Sequence, residues 1–202
     1  MVRFERHLAH PIERVWAALT EAGQLVHWWG EVQLDLVKGG EFIMSWLNTD
    51  DEGNRAVMHG TITALEPAHL LEITGDIHGT LRFELRTEQP GTRLFFLSTL
   101  KLPAEFRTKV LAGWHFHLDA LATLLAGGST DMVAIPGWEQ IHRGYLARIA
   151  APATGDAIRA LYFRLLAHRG ISKHPVQFHG RSELVASMTE ELRHVLRSSP
   201  AR

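Results

Sequence analysis

The chain of 202 residues contains no cysteine. That excludes disulfide staples, thiolate metal sites and a cysteine nucleophile. Charge of either sign is not in excess: 21 Lys and Arg stand against 22 Asp and Glu, a formal net charge of -1. Such a balance provides no field for nucleic acid or an acidic membrane. No apolar run approaches the ~18–20 residues needed to span a bilayer, so membrane insertion is not expected. The first residues, Met1-Val2-Arg3-Phe4-Glu5-Arg6, lack the apolar core of a secretory signal, and the cytoplasm is the expected compartment. Catalytic signatures are missing too. There is no Gly-x-Ser-x-Gly elbow, no Gly-rich phosphate loop and no His-Glu-x-x-His zinc motif. Nothing calls for a cofactor.

What is present is ordinary globular composition, 46% hydrophobic and 21% charged, with a generous 13 His and six Trp. The length allows one domain of about 150 residues plus an appendage, or one larger domain, and a core of that size is stable without staples.

Most of the first hundred residues read as strands. Val2, Phe4 and Leu8 alternate with Arg3, Glu5 and His7, with Arg6 on the apolar side. His10-Pro11 ends that strand. Ile12, Val15, Trp16 and Leu19 then follow helical spacing, and a second short helix around Glu21 to Val26 leads to Trp28-Trp29-Gly30. From Glu31 the period changes to two. Val32, Leu34 and Leu36 precede a Lys38-Gly39-Gly40 turn, and Phe42 to Leu47 is apolar on both faces. Asn48 to Asn54 reads as a solvated loop, which is also the better place for Asp50, Asp51 and Glu52. Strands follow at Arg55–Glu66, Leu70–Thr74, Thr80–Thr87 and Thr92–Lys101, with turns at Gly75, His78-Gly79 and Gln89-Pro90-Gly91. Closely spaced strands with short turns predict an antiparallel meander.

One long helix is predicted from Pro103 to Gly127. Val110, Trp114, Leu118, Leu121 and Leu125 form one stripe, Pro103 suits the first turn and Gly127-Gly128 stops it. At about 22 residues it spans roughly 33 Å. An irregular piece then ends at Pro136-Gly137, and Trp138, Ile141, His142, Tyr145 and Ile149 mark another helix. Ala151 to Gly155 reads as a linker. Two amphipathic helices follow it, on Ile158–Leu166 and Leu184–Leu196, separated by a Pro175-containing segment.

Several of these blocks carry a likeness. His10-Pro11 followed by Glu13 to Thr20, Trp28-Trp29-Gly30, Gly60 to Pro67, Gly91-Thr92-Arg93-Leu94, and Gly113-Trp114 running to Leu121 occur in that order. Residues 1 to about 126 thereby resemble the START-like helix-grip superfamily (SRPBCC), and within it the homologues of the activator of heat-shock protein 90 ATPase. Trp138 to Tyr145 is similar to the family's closing segment. The resemblance implies an α+β helix-grip fold: a curved antiparallel sheet wrapped around one long C-terminal helix, with a cavity between them. It covers a domain of residues 1–148 and leaves 149–202 as an unmatched helical extension. Family members bind hydrophobic small molecules, act as cyclases or contact chaperones, so the likeness carries fold further than function.

The candidate site is the Trp114 side of the long helix. Trp114, His117, Leu118 and Leu121 would roof a cavity floored by Trp46, His59 and Phe83. The competing reading is a filled core, which any helix-on-sheet domain needs. His115 and His117, two apart on a helix, point about 200° from each other and do not share a metal ion. His168, His174 and His179 have no carboxylate partner in sequence and read as solvated or capping groups. Phe116 lies on the back of the long helix beside Ala112, Ala120 and Thr123, a surface that another helix would cover. The tail helices are the expected cover, packing there or on a partner chain to form a homodimer. Three functions remain open: a binding protein for a hydrophobic or amphipathic small molecule, a cyclase or hydratase using a histidine in the same cavity, and a chaperone-associated or other interaction module.

Overall fold

The computed structural model describes residues 1–100, 103, 106–133 and 135–150. The expected linker, the two tail helices and the three tail histidines lie outside the described residues.

Strand β1 (Val2–Leu8) leads to helices α1 (Ile12–Thr20) and α2 (Ala22–Leu25). Strands β2 (Glu31–Leu34), β3 (Glu41–Thr49), β4 (Arg55–Glu66), β5 (Leu70–Gly75), β6 (Gly79–Thr87) and β7 (Thr92–Ser98) follow, then helices α3 (Arg107–Leu125) and α4 (Ile135–Ala150). The seven strands form one sheet in the order β1-β7-β6-β5-β4-β3-β2, every pair antiparallel. The α1–α2 connection carries the chain from one edge to the other, and the meander from β2 brings it back beside β1. This is an α+β helix-grip fold.

Period-two alternation sets the two faces of the sheet. On β6, Leu81, Phe83 and Leu85 are buried, and on β7 Leu94 and Phe96 are buried opposite them. Met58 and Ile62 of β4 join this inner face, while His59 between them is exposed on the outer one. A two-residue repeat allows no other outcome once Met58 points inward. On β1, Arg6 escapes the apolar face by reaching Asp119 of α3 at 3.3 Å.

Helix α3 lies against the inner face. Trp114, Leu118, Leu121 and Leu125 are buried, as the stripe requires. The helix begins at Arg107, four residues later than its sequence suggests, and its 19 residues span about 28 Å. Pro103 instead closes a turn, its carbonyl accepting the Phe106 N–H. The C-terminus is a Schellman motif: Gly127 at φ 82° donates to the Leu124 carbonyl and Gly128 donates to that of Thr123. Arg14 of α1 also donates to the last-turn carbonyl of Leu125, tying the two helices together.

Helix α4 packs on the back of α3, and the tail expected to cover that face lies outside the described residues. Phe116 lies 3.3 Å from where a Cβ on Gly137 would stand. Thr108 Oγ1 hydrogen-bonds His142 at 3.1 Å, and the Tyr145 hydroxyl meets His115 Nδ1 at 3.0 Å. Pro136 falls inside α4 rather than ending an irregular piece, which costs little near the start of a helix where N–H groups have no partner. No helix among the described residues is long and apolar enough to cross a membrane.

Candidate functional site

Between the inner face of the sheet and α3 lies a cavity of about 550 Å³, within the range of small-molecule sites. Aromatic rings dominate its wall. Trp29 follows α2, Trp46 comes from β3, Trp114 and Phe116 from α3, and Trp138 from α4. Trp114 is the hub: its ring centroid is 5.5 Å from Trp29, 5.6 Å from His78 and 5.7 Å from His117. A register shift between Ser45 and Thr49 breaks the alternation of β3, and both Trp46 and Leu47 reach the cavity. Ile77, Lys109 and Val133 line it while remaining exposed, so the cavity opens to solvent there.

The expected site residues divide into three groups. Trp46, Trp114 and His117 line the cavity together. Phe83, Leu118 and Leu121 are fully buried core that supports the wall without lining it. Phe83, for instance, packs edge-on to Trp114 at 6.2 Å. His59 is a correction, since it faces outward on β4 and takes no part. Phe116 is another, because it contributes to the cavity from the side assigned to the back of α3.

The most informative addition is His78. Its His-Gly pair reads as an exposed hairpin tip, yet the ring turns inward, 5.2 Å from Trp46. The Gly75↔Gly79 pair leaves a three-residue loop, and no residue pattern announces which way such a loop aims its side chains. Trp29 carries no positional signal either. It and Trp28 are both buried, stacked at 5.5 Å, and the Trp28 indole donates to the Ala18 carbonyl at 2.8 Å.

Two histidines thus border an apolar wall. His117 Nδ1 lies 2.9 Å from the Trp28 carbonyl. A carbonyl only accepts, so Nδ1 carries the proton and Nε2 of the neutral ring is an acceptor. Burial lowers the His117 pKa, against the opposing pull of that bond. His78 is lowered from 6.5 to about 4, chiefly by burial and then by His117, with Asp76 opposing. Both rings are therefore neutral near pH 7. His78 Nδ1 and Trp29 Nε1 are buried without a hydrogen-bond partner in the protein. His115 turns instead to Tyr145 and Asp119, so the two α3 histidines serve different surroundings. Among the described residues no cluster of His, Asp or Glu is arranged to hold a metal ion.

Sequence comparison agrees with this architecture: residues 9–126 match the family of Activator of Hsp90 ATPase homolog 1-like proteins. The chain belongs to that family. No curated protein matches it. Among solved structures, the family chain is similar to the protein encoded by gene BPP1335 of Bordetella parapertussis, at 29% identity and a TM-score of 0.58, covering 73% of this chain and 85% of that one. It is also similar to CalU16 from Micromonospora echinospora, at 22% identity and a TM-score of 0.56, covering 74% and 88%. Protein MLL2253 from Mesorhizobium loti gives 23% identity, a TM-score of 0.55 and coverage of 64% and 98%. At these identities the last two speak to the fold alone, which is the SRPBCC helix-grip.

Proposed function

We propose that this family member is a binding protein that holds a hydrophobic or amphipathic small molecule between the sheet and α3. The observation that carries the reading is the cavity of about 550 Å³ walled by four Trp rings. A ligand seated there would take this apolar wall out of water, a favourable change for each unit of apolar surface covered. Lys109 at the mouth offers a cation to a polar end of an amphipathic guest, and the interior is neutral.

Gly113 provides the test. It lines the cavity on α3, and an added Cβ would meet only Trp138 Nε1, at 3.9 Å. Gly113→Leu therefore starts a larger side chain from an uncrowded Cβ on the cavity wall. Titration with Nile red, a neutral apolar dye, should give saturable binding to the full chain and at least ~10-fold weaker binding to this variant, a loss of about 1.4 kcal/mol. Equal binding by both proteins would place the dye elsewhere and contradict the reading.

A second reading has one observation in its favour. The fixed tautomer of His117 presents Nε2 as a base in an apolar site, the arrangement a cyclase or hydratase needs for proton transfer. Turnover of a bound ligand, abolished in His117→Ala with binding retained, would select it.

We also propose that residues 149–202 form a separate helical extension that joins two copies of the chain. The support is the pair of amphipathic stripes at Ile158–Leu166 and Leu184–Leu196, each with an apolar face to bury, and the occupation of the Phe116 face by α4. Light scattering should show a dimer for the full chain and a monomer after deletion of residues 151–202.

A further inference from the structure

We infer that the cavity selects an uncharged aromatic ligand carrying a hydroxyl or carbonyl oxygen, received between Trp29 Nε1 and His78 Nδ1. The inference rests on the binding function proposed above and adds the ligand's polar chemistry. Both atoms are buried and lack a protein partner. Both belong to rings that line the cavity and lie within 6 Å of Trp114, at 5.5 and 5.6 Å between centroids. Buried polar atoms in folded proteins are overwhelmingly paired, so two orphans on one cavity wall point to a partner supplied from within it. The third such atom among the described residues, Ser98 Oγ, is not in the wall.

The chemistry of the atoms narrows the guest. An indole N–H only donates, so it needs an acceptor oxygen. A neutral imidazole nitrogen donates or accepts according to its tautomer, and His117 adds an acceptor at Nε2. A hydroxyl answers a donor and an acceptor at once, and a carbonyl answers two donors. A hydrocarbon answers neither and displaces whatever water the atoms would hold, at a loss. A carboxylate would enter an interior with no cation among its buried lining groups, the exposed Lys109 standing at the mouth. The preference for a flat guest comes from the aromatic content of the wall, which includes Trp46, His78 and Trp114.

Equilibrium dialysis of the full chain at pH 7.5 against naphthol, methylnaphthalene and naphthoate tests this, because the three share a ring system and differ in the polar group. Naphthol should bind on the order of tenfold more tightly than methylnaphthalene, and naphthoate should bind more weakly than naphthol. His78→Leu should bring naphthol and methylnaphthalene close together, and the use of a ratio cancels any general effect of the substitution. Equal binding of naphthol and methylnaphthalene by the unaltered protein, tightest binding of naphthoate, or an unchanged ratio in His78→Leu would each overturn the inference while leaving the binding function standing. Failure of all three probes to bind would overturn both.

Discussion

The buried neutral His78 makes stability depend on pH in a direction that can be worked out. Its pKa is 6.5 in the unfolded chain and about 4 in the folded protein. Below pH 6.5 the unfolded state takes up a proton that the folded state refuses. Stability is therefore full above pH 6.5 and is lost as the pH falls from there towards 4. Integrated between pH 7 and pH 5, this one group removes about 2 kcal/mol, equivalent to roughly 4–8 °C in melting temperature for a domain of this size. His117, lowered by the same burial, acts in the same direction. The carboxylates with depressed values, Asp50, Glu84 and Glu88, contribute stability above their ordinary values of 3.8 to 4.5 and lose it below that range, so a comparison ending at pH 5 largely avoids them. The assay is urea denaturation of the unaltered protein and of His78→Leu at pH 7 and pH 5. The variant should lose less stability than the unaltered protein, the difference being about 2 kcal/mol. Identical losses in the two proteins would show that His78 titrates as it does in water, and the apolar, neutral interior argued for the cavity would be wrong.

Other perturbations follow from the packing. Gly113→Ala and Gly144→Ala lie in helices with room for a Cβ, and each should raise stability by about 0.5–1 kcal/mol in thermal melts. Leu118→Ala removes a side chain with no exposed surface and should cost about 2–5 kcal/mol in chemical denaturation. Gly30→Ala would put a Cβ 2.7 Å from the Ser45 carbonyl; a destabilisation of about 1–3 kcal/mol is expected. Tyr145→Phe deletes the hydroxyl that meets His115, and should cost about 0.5–1.5 kcal/mol and hasten proteolytic cleavage within α4.

Much of this architecture was legible in the residues because it rests on periodicity. Strand β4 has the bounds its alternation predicts, and the Trp114 stripe of α3 is buried as predicted because 3.6-residue spacing tolerates only one buried face. A period says which residues share a face, not which face turns inward. On β4 that choice belongs to Met58, which is fully buried and turns His59 outward. His78 carries no sequence signal because a three-residue loop has no period at all, and Trp29 carries none because its role depends on Phe42, Phe83 and Trp114, each distant in sequence. Phe116 reads as a surface that needs a helix, and Gly137 of α4 approaches it, while its ring also reaches the cavity. Of the residues the sequence pattern suggests, Trp46, Trp114 and His117 line the cavity, whereas Trp29 and His78 join them without a sequence signal.

The proposed function requires a small molecule to sit between the sheet and α3. Its most direct test is where a bound probe lies, read from intermolecular nuclear Overhauser effects on the full chain saturated with naphthol. Naphthol should give contacts to the indole protons of Trp29, Trp46 and Trp114 that are absent in Gly113→Leu. Contacts confined to surface residues outside the cavity, or unchanged contacts in that variant, would contradict it.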